Sequence, residues 1–283
     1  MYNGVMCIRI TVIKLFEDFY CKGVNMNDNF EDLMKKNRNF LKDRIRKSVD
    51  FSKTDQSKGV QVPAIEKPYP DEAVLIDLVV EEDWEKEFNI PLARAMKNRK
   101  SRRKYGTQPL TLKELSFLLW AAQGVRFVRG GHAYRTVPSA GCRHSMETYL
   151  AVFDVEGLEE GIYRYLPLSH RLVFEFKEES LNQKLIKAAF GQEFAGHSAV
   201  TFIWTAIPHR MEWRYGPVSH KVIAMDAGHA GQNLYLACEA INSGTCAIAA
   251  YDQDYADDLL RVDGKDEFVI YMAPVGKVFS KSD

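Results

Sequence analysis

Arg135-Thr136-Val137-Pro138-Ser139-Ala140-Gly141-Cys142-Arg143-His144, continuing to Glu147-Thr148-Tyr149-Leu150, is the most informative stretch of the chain. Small residues flanked by hydrogen-bond donors let a ligand approach the backbone closely, glycine most of all. The competing reading is an ordinary Pro-Ser-Ala-Gly turn. Cys142 and His144 invite comparison with a thiol nucleophile and its base, but nothing upstream orients such a pair. Thr148 to Val155 then reads as a β-strand.

Working outward, Thr111-Leu112-Lys113-Glu114 is a capping-box pattern that opens a helix. Leu112, Leu115, Leu118, Leu119 and Ala122 share one face of it, and Gly124 stops it. Pro91 suits the first turn of a helix running to about Asn98. Downstream, Ile162 to Leu166 and Arg171 to Phe176 form a hairpin pattern. Ser180 stands as the cap of a helix reaching Phe190, with Gly191 ending it. Ala199 to Ile207 is an apolar, β-forming run suited to a central strand. Pro217 to Ile241 carries a long helical pattern, and Phe268 to Val275 a last buried strand. Helices and strands are mixed without βαβ alternation, which favours an α+β fold. The folded domain is expected over residues 71–283. Residues 1–70 are expected to be an N-terminal extension or arm, in which the charged residues 27–70 end in a proline-spaced stretch suited to draping over a neighbour, with a short helix near Glu31 to Lys47.

The 38 basic and 38 acidic side chains cancel. No electrostatic case exists for binding nucleic acid or an acidic membrane. Any cationic site is therefore local. The five cysteines form no C-x-x-C pair, which argues against a disulfide framework or zinc site. No metal site is expected. Val5 to Phe16 is apolar but interrupted by Arg9 and Lys14, no apolar run reaches membrane-spanning length, and a cytoplasmic location is expected. Met26 is an alternative natural start.

Three further stretches carry chemistry. Arg99-Lys100-Ser101-Arg102-Arg103-Lys104-Tyr105 offers cations and a hydroxyl after a helix, as phosphate recognition requires. A solvated basic turn is the rival reading. Trp213-Arg214-Tyr215-Gly216-Pro217 precedes Asp226-Ala227-Gly228-His229. Asp226 and His229 are spaced to face one way on a helix, but two ligands do not make a metal site. Gly228 suggests close packing across a dimer axis. Gly244-Thr245-Cys246-Ala247-Ile248-Ala249-Ala250-Tyr251-Asp252 brings backbone N–H groups within reach of a flat ring, or simply joins a helix to a strand. No G-x-G-x-x-G dinucleotide fingerprint is present.

Taken in order from about residue 37 to 278, these stretches resemble the nitroreductase superfamily. The closer resemblance is to its SagB-type (thiazole/oxazole oxidase-like) dehydrogenase branch. The Arg135–His144 string is the most specific match, supported by Gly161-Ile162-Tyr163-Arg164-Tyr165 and by Asp226–His229 with Gln232-Asn233-Leu234. The resemblance implies a mostly antiparallel sheet flanked by helices, in an intertwined homodimer that holds FMN at its interface. It implies that Arg99, Lys100 and Ser101 hold the flavin phosphate and that Arg103 lies near the pyrimidine edge of the ring. Pro138, Ser139, Ala140 and Gly141 form the loop that reaches the flavin from the partner subunit. Ala249 and Ala250 supply the backbone N–H that meets flavin N5. The family's longer C-terminal tail supplies further phosphate charge, and here Lys277 and Arg143 are candidates for it. Tyr215 and Arg214 are the catalytic candidates. Azoline-oxidising members carry lysine where Arg214 stands, and arginine is too basic to act as that base. The implied function is an FMN-dependent oxidoreductase acting on a small molecule or peptide, with NAD(P)H as a donor. A flavin-sequestering module without turnover and an azoline-oxidising subunit of a peptide-modifying complex are the alternatives.

Overall fold

The computed structural model describes residues 30–80 and 84–279. The apolar stretch Val5–Phe16 and Met26 lie outside the described residues. The chain divides into two compact units, with the break after Ser48. In the first, helix α1 (Phe30–Leu41) has no buried residue and is followed by a 3-10 turn, Asp43–Lys47. Its exposed Lys35–Asp32 ion pair spans one helical turn.

The second unit is built on a seven-stranded sheet, β1 (Leu75–Asp77), β4 (Met146–Val152), β5 (Gly161–Leu166), β6 (Arg171–Phe176), β7 (Val200–Ala206), β8 (Ser243–Thr245) and β9 (Phe268–Lys277), in the order β1-β6-β5-β4-β7-β9-β8. Every strand pairing in it is antiparallel. β4 and β7 are buried along their whole length. Alternation explains how, since successive strand residues face opposite sides. Leu150, Phe202 and Trp204 enter one core with Leu115, Leu118, Leu119 and Leu234. Tyr149, Ala151 and Ile203 enter the other with Leu181, Leu185 and Leu260. The first core is covered by α4 (Leu112–Gln123) and the 22-residue α7 (Ser219–Ala240), the second by α5 (Leu181–Ala188) and α8 (Gln253–Leu260). Three short helices complete the unit: α2 (Trp84–Glu87), α3 (Leu92–Asn98) and α6 (His209–Tyr215).

The α+β architecture and its mostly antiparallel sheet are as expected from the sequence. Thr111 and Glu114 do form a reciprocal capping box at the start of α4. Ser180 does not cap α5. It sits in the left-handed region at φ 53° and its side chain bonds no helix N–H. A second sheet, the hairpin of β2 (Val125–Arg129) and β3 (His132–Arg135), turns at Gly130-Gly131, both with positive φ. That glycine pair between β-forming residues was the available signal.

Residues 49–70, expected to belong to an arm, group with the body. The Gln56 N–H donates to Trp213 O at 2.8 Å, and Trp213 Nε1 donates to Val60 O at 2.9 Å. Arg164 donates to the carbonyls of Lys67 and Pro68, and Arg135 to that of Ile65. Glu147 accepts from Lys67 N at 2.8 Å and from Arg210 Nη2 at 2.5 Å. Its other oxygen lies 3.8 Å from Arg164. A composition poor in apolar residues is thus held down by its backbone, which satisfies buried guanidinium groups.

Glu147→Ala should strand Arg210 and the Lys67 N–H and destabilise the fold by about 3–5 kcal/mol. Chemical denaturation measures this. A loss under about 1 kcal/mol would mean the network contributes no more than an exposed pair does.

Candidate functional site

Two groups of predicted residues assemble at different places on the body. The first surrounds the C-terminal half of α7. After α3 the chain runs extended beside β8, with Ser101 bridging Thr245 and Arg102 N donating to Thr245 O at 2.9 Å. Strand-like alternation turns Arg102 inward onto Glu239 and leaves Ser101 and Arg103 exposed. Gly244 permits this, because a side chain there would collide with Arg102. The Arg99 guanidinium stacks 5.3 Å from the Tyr235 ring centre, and Ser101 Oγ lies 3.0 Å from the Tyr235 hydroxyl. Arg103 lies 5.8 Å from the ring centre of Phe194. Gln192, on the same turn as Phe194, donates to Ala250 O at 3.1 Å. Ala249 and Ala250 are exposed there. Arg99, Lys100 and Arg103 meet no carboxylate among the described residues. The buried Thr245 hydroxyl beside Ser101 has no hydrogen-bond partner. Unneutralised cations, hydroxyls and exposed backbone in one place suit a phosphate-bearing planar ligand.

The second group is the Pro138–His144 loop. Gly141, Cys142 and His144 all have positive φ, at 58°, 57° and 47°. Non-glycine residues in that region are strained, and such strain gathers at functional sites. Asp226 holds the loop: its carboxylate accepts from Ser139 Oγ at 2.5 Å and from the Ala140 N–H. Burial raises the Asp226 pKa despite these bonds. Asp226 is therefore an anchor for the loop, and among the described residues no group of three or more ligating side chains stands ready for a metal ion. Gly141 packs against α6. A Cβ at Gly141 would lie 2.6 Å from the Tyr215 hydroxyl and 3.0 Å from Arg214 Cδ. The loop thus meets Arg214 and Tyr215 within one chain.

Two candidates take different roles. Lys277 Nζ is engaged by the Glu114 carboxylate and by Ile241 O at 3.2 Å. Its charge is neutralised inside the chain, where it ties α4 to the end of α7. Arg143 is buried, donates to Arg210 O at 3.2 Å and stacks 5.0 Å from the Trp213 ring centre. It belongs with the loop and α6. Arg210 was not singled out in the sequence, since an arginine inside an unrecognised helix gives no signal by itself.

Cys142 and His144 do not make a reactive pair. Sγ and Nε2 are 3.7 Å apart, but burial pushes the thiol pKa up and drives His144 down to about 3. Neutral partners make no thiolate.

The nitroreductase family model matches residues 96–277, which contain every predicted site residue. A Methanocaldococcus jannaschii protein named as a candidate nitroreductase is 35% identical over 188 residues, covering 66% of this chain and 91% of its own. A trifolitoxin-processing protein of Rhizobium leguminosarum bv. trifolii is 28% identical over 141 residues, covering 48% of this chain and 38% of its own. The crystal structure of a candidate nitroreductase from Ralstonia eutropha superposes with a TM-score of 0.61 at 27% identity, covering 77% of this chain and 98% of that one. The chain belongs to the nitroreductase family, and its general kind is oxidoreductase. Among the described residues no helix is long and apolar enough to cross a membrane.

His144 is neutral in the native state, whereas the unfolded chain takes up a proton near its ordinary value of 6.5. Its contribution to stability is present above that pH and is lost as pH falls toward 3. Wild type should lose stability relative to His144→Gln by up to about 1.4 kcal/mol per pH unit across that window. Denaturation curves at several pH values check this; parallel curves would refute the neutral buried imidazole.

Proposed function

We propose that the chain is an FMN-dependent oxidoreductase that acts as a homodimer, with each flavin site assembled from two subunits. The observation that carries this reading is the separation of the two residue groups along α7. Asp226, which holds the loop, and Tyr235, which meets Arg99 and Ser101, are nine positions apart, about 14 Å at 1.5 Å per residue. Neither group makes a complete cofactor site alone. Gly228, His229 and Gln232 lie between them on the exposed side of the helix. A two-fold axis through that face sets the loop of one copy near the cations of the other. Nearby, a groove of about 480 Å³ lined by Phe88, Leu92, Phe117, Trp120 and Leu236 offers apolar surface to the same partner.

FMN, when bound, supplies the two-electron redox chemistry. Arg99, Lys100 and Ser101 hold the phosphate. Arg103 stabilises negative charge at the pyrimidine edge, most effectively where water is excluded. The Ala249-Ala250 backbone orients the ring. Tyr215 presents a hydroxyl for proton donation, and Arg214 supplies fixed positive charge beside it. The donor is NADH or NADPH, and the acceptor is a small molecule. We expect the location to be cytoplasmic.

A second reading, a SagB-type subunit that oxidises azolines in a peptide-modifying complex, is favoured by the similarity to the trifolitoxin-processing protein. Arg214 counts against it, because a guanidinium stays protonated and cannot serve as the base.

The purified protein should be yellow, with a flavin absorbance spectrum, and should consume reduced nicotinamide when given a nitroaromatic or quinone. A colourless protein that takes up no added FMN would sink the reading, while bound FMN without turnover would leave a sequestering module. Arg103→Glu should weaken FMN binding by about tenfold or more. A Cβ at Gly228 meets nothing within 4 Å in this chain. Gly228→Arg should therefore fold but run as a monomer in light scattering and lose FMN; an intact dimer would place the interface elsewhere.

A further inference from the structure

The loop end of α7 holds more positive charge than it neutralises. Arg135, Arg143 and Arg210 are each no more than 4% exposed, and Arg214 is half-buried. Glu147 pairs directly with Arg210 and is shared with Arg164. Arg135 leans on Gln123 at 2.9 Å and on a carbonyl, with its Nε unpartnered. Arg210 Nη1 is also buried without a partner. Neither Arg143 nor Arg214 meets a carboxylate among the described residues. The nearby Glu212 is bonded to His220 at 2.7 Å. The guanidinium groups also oppose one another. The Arg143 pKa is lowered by burial first and then by Arg214; that of Arg135 falls to about 10 through burial, against the opposing pull of Glu147 and Glu66 and with Arg210 adding to the fall.

A buried cation without an anion is costly, and a like charge beside it adds to the cost. Here the two uncompensated groups are held in place by aromatic rings, Arg143 on Trp213 and Arg214 at 5.5 Å from the Tyr215 ring centre. Each ring keeps its guanidinium close, and a guanidinium offers the planar fork that a bidentate carboxylate accepts. The Tyr215 hydroxyl lies close by, against Gly141. Exposed cations of the kind suited to a phosphate stand instead at the far end of α7.

We propose that Arg143 and Arg214, with the Tyr215 hydroxyl, form a subsite for the carboxylate of an organic substrate. Substrate acids are selected over their neutral analogues there, and the carboxylate completes the charge balance of the cluster. The role of that acid in turnover rests on the flavin reading above; its binding does not.

The test is calorimetric titration of the purified protein with benzoate, benzamide and inorganic phosphate, with FMN content measured in parallel. Benzoate should bind more tightly than benzamide by about tenfold or more, the scale of one charge-assisted hydrogen bond. Arg214→Gln should remove that preference and Arg214→Lys should keep part of it, with circular dichroism confirming that both fold. In turnover, the ratio of kcat/KM for 4-nitrobenzoate to that for 4-nitrobenzamide should fall in Arg214→Gln. Equal binding of benzoate and benzamide would overturn the proposal, as would a preference that survives in a folded Arg214→Gln. Phosphate that displaces benzoate and whose binding is lost in Arg214→Gln would also overturn it, by making the subsite one for phosphate. A colourless protein that still selects benzoate refutes the flavin reading and supports the subsite. A yellow protein without selectivity does the reverse.

Discussion

The carboxylate of Glu147 is the point on which the body of the molecule converges. It sits in β4, the strand between β5 and β7, at 3% exposure. One oxygen takes hydrogen bonds from Lys67, in the strap formed by residues 54–68, and from α6 at Arg210, and the other faces Arg164 of β5. An ion pair this deep adds little net stability over a well-packed apolar group, because desolvation offsets attraction. What it does supply is position. Arg210 begins the helix that ends in Arg214 and Tyr215, and its carbonyl accepts from Arg143. Moving Glu147 would therefore shift the strap, the helix and the loop together, although Lys67 and Arg210 lie 80 and 63 residues away in sequence.

Helix α7 does a comparable job for the proposed cofactor site. Its inner face, with Ala227, Ala230, Leu234 and Ala237, fills the core against α4. Its two ends carry polar tethers, Asp226 to the loop and Tyr235 with Glu239 to the basic segment. A helix is a stiff spacer with a fixed rise. The distance between the two half-sites is thus set by residue count, and in the proposed dimer that spacing defines how far the interface spreads each pair of half-sites apart.

The parts of the fold legible in the sequence were those with strong periodicity. β7 and α4 read directly from apolar spacing, and the Thr111–Glu114 box from residue identity. Arg99, Ser101 and Arg103 stood out only through the family resemblance, because a short basic run is by itself equally a solvated turn, and their common neighbour Tyr235 carried no signal of its own. Less visible were interactions made by backbone atoms. The strap at 54–68 looked like a loose arm because its anchoring groups are carbonyls and N–H groups, which every residue has. Lys277 was legible as a cation but not as half of a pair with Glu114, since the partner lies far away in sequence. Ser180 shows the same limit in miniature: the right residue type for a cap adopts a backbone conformation that keeps its side chain off the helix.

The strained loop has a chemical consequence. Each non-glycine residue in the left-handed region costs about 1–3 kcal/mol, and here Cys142 and His144 both adopt it. Opposing that cost are the bonds from Ser139 and Ala140 to Asp226, the Cys142 thiol on Ala133 O at 3.1 Å, and the His144 N–H on Ser139 Oγ at 2.9 Å. A relaxed loop would make fewer of these bonds and would withdraw the Gly141 backbone from α6. The Tyr215 hydroxyl sits where a side chain at position 141 would have been. Gly141 thereby leaves room for the hydroxyl beside the main chain of the loop. In the proposed reaction this placement would set the hydroxyl in position before substrate arrives, as general-acid catalysis requires.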